Sequence, residues 1–156
     1  MDPYSETDFW KDNERRKTWD ELIPGEPRPT VPYTLTLGAI QKYCRSVGDL
    51  NPLYFDESYA RTTRWGGLIA PPHIHPLLCL GCTPIDDWMR SPGTVNAGQS
   101  WSYNVPARPG DVITLQARAL DKFIRKGRLF AIHDNIFFNN HGEVICAGRG
   151  WTIRPM

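Results

Sequence analysis

Neither sign of charge is in excess in this sequence: 18 Lys and Arg stand against 17 Asp and Glu, a net charge of +1. That balance leaves no electrostatic footprint for nucleic acid or an anionic membrane, so small molecules and other proteins are the expected partners. No apolar run reaches the roughly 20 residues that cross a bilayer, and Met1 to Glu21 is charged and has no signal-peptide core. The expected compartment is the cytoplasm. Cysteine is scarce, and Cys44, Cys79, Cys82 and Cys146 all sit in apolar surroundings, as reduced buried thiols do. Cys79 and Cys82, with His73 and His75 nearby, offer four soft ligands, but only Leu80-Gly81 separates the two thiols on one expected helix. A structural zinc site spaces its ligand pairs over a longer excursion, so no metal is expected. At 156 residues the chain is long enough for one domain with a core and too short for two ordinary ones.

What is present divides into an arm and a body. Residues 1–30 are polar and charged, closed by Pro24, Pro27 and Pro29, with isolated aromatics at Phe9, Trp10 and Trp19 that suit docking onto a body or partner. A short helix is expected around Asn13 to Leu22. Residues 31–156 form the single domain. There, Tyr33 to Thr36 reads as a short strand, Thr36 as a helix cap, and Leu37, Ile40, Cys44 and Val47 recur at helical spacing. Gly48 supplies a left-handed stop, which places Asp49 in a loop just beyond a helix end, with Asn51-Pro52 turning the chain behind it. Asp49 is then a candidate for chemistry or, equally, for orienting the turn.

Asp56 to Arg64 predicts a short helix capped by Asp56, with Tyr59 and Ala60 inward, broken by Trp65-Gly66-Gly67. Pro71-Pro72 fits the first turn of a new helix, where missing N–H groups cost least. Ile74 to Leu80 is apolar nearly all round, which predicts a buried central helix ending near Gly81.

From Thr94 the period changes to two. Val95 to Val105 reads as a polar and aromatic strand, Pro106 to Asp111 as a turn, and Ile113, Leu115, Ala117 and Ala119 as the buried side of the next strand. Lys126-Gly127 turns the chain, Arg128 to Asn139 returns it, and Asn140-His141-Gly142 leads into Glu143 to Ile153. A two-residue loop would set Asp134 opposite Arg149, Ile136 opposite Ala147, Ile132 opposite Trp151 and Phe138 opposite Ile145, pairing the two charges across strands. A three-residue loop with Gly142 in a bulge would set Arg149 opposite His133. Glycine after two good turn residues favours the second register. The whole order predicts an α+β architecture: an antiparallel sheet wrapped around one apolar helix, with exposed edges inviting a partner.

Gly48-Asp49-x-Asn51-Pro52-Leu53-Tyr54-x-Asp56, with Ala60 and Gly66-Gly67-Leu68-Ile69-Ala70, resembles the MaoC-like enoyl-CoA hydratases and dehydratases of the hot-dog fold. Pro106-x-x-Pro109-Gly110-Asp111 and Asn139-x-x-Gly142-Glu143-Val144 extend the resemblance over roughly Pro32 to Ile153. In detail the Asn-Pro-Leu-Tyr and Ala-Pro-Pro versions look most like the family's N-terminal-type dehydratase domains, including those of two-subunit hydratases in steroid side-chain degradation.

The resemblance implies addition of water to, or its loss from, a 2-enoyl thioester of coenzyme A or an acyl carrier, with no further cofactor. Such chemistry needs an acid/base pair across a water, a group that polarises the thioester carbonyl, and a dry channel for the acyl chain. Asp49 matches the family's Asp. The family's His position holds Tyr54, a phenol whose ordinary pKa near 10 makes it a poor proton shuttle. The family's helix-start N–H donors fall at Ala70-Pro71-Pro72, where two prolines carry none. Asn51, Gly67, Ile69, Ala70 and Pro71 fall on the family's substrate-binding side, with Trp101 and Tyr103 as candidates for the groove wall or the core.

Two departures together suggest a subunit that shapes the acyl-CoA pocket while a second hot-dog chain supplies the Asp/His pair, a hetero-oligomer in preference to a homodimer. In the alternative, His73 or His75 replaces the missing His and a homodimer works with Asp49, although His73 at a helix start is more simply a capping or packing residue. A non-catalytic acyl-thioester binding module is another class. A thioesterase is a third, since fold alone does not decide, but it would need an acid on the central helix, and His73 to Leu80 contains none.

Overall fold

The structure, a computed structural model, describes residues 19–90 and 93–155. Phe9, Trp10 and most of the helix expected around Asn13 to Leu22 lie outside them. Trp19 and Leu22 lie inside and are buried with Trp88, Ala119, Leu129 and Ala131 in a small cluster at one end of the sheet. The Trp19 indole donates to the Phe130 carbonyl at 3.3 Å, so this aromatic docks on the body.

Strand β1 (Tyr33–Thr34) leads to Thr36, whose hydroxyl accepts from the Ala39 N–H at 3.1 Å and caps α1 (Leu37–Val47). Gly48 ends that helix with φ +76°, a conformation open to glycine without penalty. Pro52–Tyr54 forms one 3₁₀ turn, and Asp56 caps α2 (Glu57–Thr62). A second 3₁₀ turn, Pro72–Ile74, runs straight into α3 (His75–Cys82), and a third covers Trp88–Arg90. Four strands follow: β2 (Val95–Tyr103), β3 (Val112–Arg125), β4 (Arg128–Phe138) and β5 (Val144–Pro155). They and β1 make one antiparallel sheet in the order β1-β3-β4-β5-β2. The core lies between the sheet and the helices: Ile40 and Cys44 of α1, Ala70, Ile74 and Leu78 meet Ile113, Leu115, Phe137 and Cys146.

Three expectations change. Tyr59 is exposed, because the six-residue α2 turns one narrow side to the body and Ala60 takes it. The central helix is buried on one side only: Ile74, His75, Leu78 and Cys82 face the core, while Pro72, Pro76 and Leu80, four residues apart, face outward. One chain's sheet covers one side of a helix. Last, the final hairpin combines both registers. The Asn139 N–H bonds to the Glu143 carbonyl across a three-residue loop with Gly142 at φ +75°, as the bulge requires. A second irregularity between Phe137 and Phe138 then shifts the pairing by one residue. Phe138 therefore faces Val144, whereas Asp134 faces Arg149, Ile136 faces Ala147 and Ile132 faces Trp151. Arg149 does not meet His133; it makes two bonds to Asp134, at 2.8 and 3.1 Å, on the outer face.

Candidate active site

Asp49 emerges from the α1 stop with its N–H on the Cys44 carbonyl at 2.9 Å, so the helix end fixes where its side chain starts. One carboxylate oxygen accepts from the Asn51 N–H at 3.3 Å, and Asn51 in turn accepts from Leu53 N–H at 3.0 Å, starting the 3₁₀ turn. The other oxygen faces out of this loop. It lies 2.9 Å from Nε2 of His73, on the turn that enters α3.

Tyr43 holds His73 from behind. Its hydroxyl donates to the His73 carbonyl at 2.7 Å and stands 3.4 Å from Nδ1 of the ring, with the two rings tilted at 5.7 Å. The imidazole is thus set between a carboxylate and a phenolic oxygen. Both members of the pair keep an open side, His73 at 41% and Asp49 at 31% side-chain exposure, so a water or substrate can reach them from outside the protomer. The two groups are in direct contact.

Tyr54 takes no part in this contact. It is buried, and burial, then the Asp49 carboxylate, then Cys44, push its phenol above the ordinary value. A phenol shifted that way is a still poorer proton shuttle at neutral pH. His75 points the other way, into the core, where its ring packs on Trp101 at 4.4 Å and Nδ1 meets the Tyr103 hydroxyl at 3.1 Å. Burial lowers its pKa, and Gln99 lies near enough to soften that shift without reaching hydrogen-bond geometry.

The other candidates divide. Ile69, Ala70 and Pro71 line a small apolar cavity of about 120 Å³ at the start of α3, together with Trp65 and Tyr103. The Ala70 N–H is already bonded to the Ala107 carbonyl at 2.7 Å, so it does not point at a ligand. The first backbone N–H after the two prolines belongs to His73 itself. Asn51 serves the turn, and Gly67 packs under Arg108, whose guanidinium donates to the Trp65 carbonyl at 2.7 Å. Trp101 lies across α3 and lines a second, larger cavity. Among the described residues no three His, Cys, Asp or Glu side chains converge as metal ligands, and Cys79, Cys82 and Cys146 have thiols pushed up to about 12, 11 and 12 by burial.

Sequence reasoning missed Tyr43, His133 and Asn135. Tyr43 precedes the buried Cys44 on α1, and its bond to a carbonyl 30 positions away exists only in the fold. The signal for the other two was present: polar residues two apart within a strand that is otherwise apolar at every other position.

Comparison with known proteins gives the chain a family and a fold. The family model of the FAS1-like dehydratase domain region matches residues 23–147. A protein of Thermobifida fusca known as a UPF0336 protein is 30% identical over 98 residues, 58% of this chain and 62% of that protein. The chain thus spans about three fifths of the length of that curated relative. Among solved structures, the unliganded R-hydratase PhaJ1 of Pseudomonas aeruginosa superposes with a TM-score of 0.72 at 25% identity, over 88% of this chain and 84% of that one. The ChsH1-ChsH2 complex of Mycobacterium tuberculosis shares the fold, with a TM-score of 0.68 at 12% identity over 86% and 98% of the two chains.

Proposed function

Since this chain belongs to the FAS1-like dehydratase domain region family and has the hot-dog fold of the MaoC-like hydratases, we propose that it is a hydro-lyase subunit acting on a 2-enoyl thioester, with Asp49 and His73 as its acid/base pair. The observation that carries this is the 2.9 Å contact between the two, open on one side to solvent.

In the hydration direction the Asp49 carboxylate takes a proton from a water as its oxygen bonds to C3 of the enoyl group. The C2=C3 π pair moves toward the thioester carbonyl, and protonated His73 gives its Nε2 proton to C2. Water has then been added across the double bond, with the proton left on Asp49. The direct Asp49–His73 bond is the path by which that proton returns to His73 and resets the pair. Tyr43 keeps the ring in place by holding both the His73 carbonyl and the Nδ1 side. Coenzyme A or an acyl carrier is substrate here, and no cofactor enters a step.

A second hot-dog subunit completes the site. Half-exposed Asp49 and His73 need a cover, since proton transfer to a carbon acid gains from a water-poor site, and the outward Pro72, Pro76 and Leu80 offer an apolar stripe beside them. The ChsH1-ChsH2 relative is a complex of two chains. One observation favours the pocket-shaping reading with a different partner: Pro71 and Pro72 have no N–H, and that of Ala70 is occupied, so this chain alone offers few backbone donors to the thioester carbonyl.

The test is hydratase turnover of 2-enoyl-CoA thioesters by the chain alone and mixed with a hot-dog subunit that carries an Asp/His pair. Turnover by the chain alone should fall by about 10²-fold or more in Asp49→Asn and in His73→Gln. Turnover that appears only in the mixture and ignores Asp49→Asn would overturn the role given to the pair and establish the pocket-shaping one.

A further inference from the structure

The inward side of β4 reads Leu129, Ala131, His133, Asn135, Phe137, all buried, while Ile132, Ile136 and Phe138 stand on the outer side. Two polar side chains thus sit in the middle of the strand's core face. His133 is 7% and Asn135 4% exposed, and neither is among the sealed, unpartnered polar groups of the described residues: what exposure they keep is to the cavity beside them. Buried polar groups are nearly always partnered, because each leaves water to get there. These two present polar atoms to the space that adjoins them.

They form the floor of a cavity of about 240 Å³ between the C-terminal half of α3 and the sheet. Met89, Leu115 and Trp101 make its apolar walls, and Thr94, which also lines it, has a buried hydroxyl without a partner among the described residues. Glycines inside β5 give room to the rings that bound it. A Cβ at Gly150 would stand 2.8 Å from Nε2 of His133, and one at Gly148 would collide with the Trp101 ring. Glycine inside a strand often marks a close approach, and here the groups that approach are the His133 and Trp101 rings.

The chemistry of the floor selects a ligand. Among the described residues no carboxylate lines the cavity. The guanidinium among them that does, Arg90, has Nε on the Thr83 carbonyl at 3.1 Å and Nη2 on the Leu80 carbonyl. Burial keeps the His133 ring neutral. A neutral imidazole and an amide each offer a donor and an acceptor, which suits an uncharged oxygen. Cys79 and Leu80 at the cavity lie six and seven residues beyond His73, about 10 Å along the helix axis.

We infer that this cavity is the subsite for the far end of the acyl group, and that this end carries an uncharged hydroxyl or carbonyl held between His133 and Asn135. The inference rests on the thioester reading above and adds the class of acyl group.

Two measurements test it. In the first, kcat/KM is compared for 2-enoyl-CoA thioesters of equal carbon number with and without an ω-hydroxyl or ω-oxo group, using the assembly that turns over. The oxygenated substrate should be preferred at least tenfold, and Asn135→Leu, which is close in shape, should remove the preference. Turnover with no preference overturns the inference. In the second, the His133 ring signal, assigned with His133→Leu, is followed by NMR while cyclohexanone or methylcyclohexane is added. A saturable shift with the ketone alone, absent in Asn135→Leu, supports the subsite even if no thioester is turned over, an outcome that would sink only the proposed activity. No shift overturns the subsite. Asn135→Leu should keep or raise Tm, because it removes an unmet demand; a marked fall would make Asn135 a structural residue and overturn the assignment.

Discussion

Burial pushes the His133 pKa down to about 4, with the Arg28 charge adding to the effect and Asp134 opposing it. Unfolding restores the ordinary value near 6.5. Between these limits the unfolded chain binds a proton that the folded chain refuses, so the stability linked to this residue is whole above about pH 6.5 and lost as pH falls toward 4. The shift corresponds to on the order of 3 kcal/mol. Denaturant titrations at pH 7.5 and 5 should show the loss, and His133→Leu should flatten it. An unchanged slope in that variant would assign the effect elsewhere, first to His75, which burial shifts in the same direction. Tyr54 belongs to the same scale: it stands where the resemblance sets the family's His, and burial, with Asp49 beside it, raises its phenol above the ordinary value.

At the level of elements, α1 sets where Asp49 emerges. Its start depends on the Thr36 hydroxyl and its stop on Gly48. Thr36→Ala should cost about 1 kcal/mol and Thr36→Ser much less, read as a shift in urea midpoint. Gly48→Ala meets no atom within 4 Å, so its cost, about 1–2 kcal/mol, comes from the positive φ alone. If the left-handed stop aims Asp49 at His73, Gly48→Ala should also lower turnover more than Thr36→Ala does at equal stability. The Trp88–Arg90 turn is pinned differently, by the buried Arg28–Asp87 pair at 2.8 Å. Asp87→Ala leaves that guanidinium uncompensated and should cost about 3–5 kcal/mol, far more than breaking the exposed Arg149–Asp134 pair on the outer face.

At the scale of the molecule, the described residues leave bare the edge of β2, exposed along most of its nine residues, and the outward side of α3. Long open edges invite pairing. Mass measured in solution should exceed one chain, alone or with a second hot-dog subunit, and Leu80→Arg should lower it at little cost in Tm, since Leu80 is already 56% exposed. A monomer that turns over thioester at full rate would remove the need for a second subunit. No described helix is long and apolar enough to cross a membrane.

The sequence by itself determined what depends on neighbours along the chain. The Thr36 cap, the Gly48 stop, the Asp56 cap, the Lys126-Gly127 turn and the alternation Ile113, Leu115, Ala117, Ala119 are local patterns, and each stands where the chain puts it. They suffice for a sheet wrapped around a helix. Whatever depends on two distant segments meeting was decided by the tertiary structure. Asp49 and His73 lie 24 positions apart and touch only because the α1 stop and the entry to α3 are packed side by side. Asp134 meets Arg149 because a second irregularity, past the loop that spacing could anticipate, moves the register by one. His133 and Asn135 read as interruptions of an apolar strand; their place at the cavity depends on the next strand, where Gly150 leaves room for the His133 ring. Local propensity fixes where elements begin and end. Packing fixes which side chains face each other, and the proposed chemistry of this protein lies in those meetings.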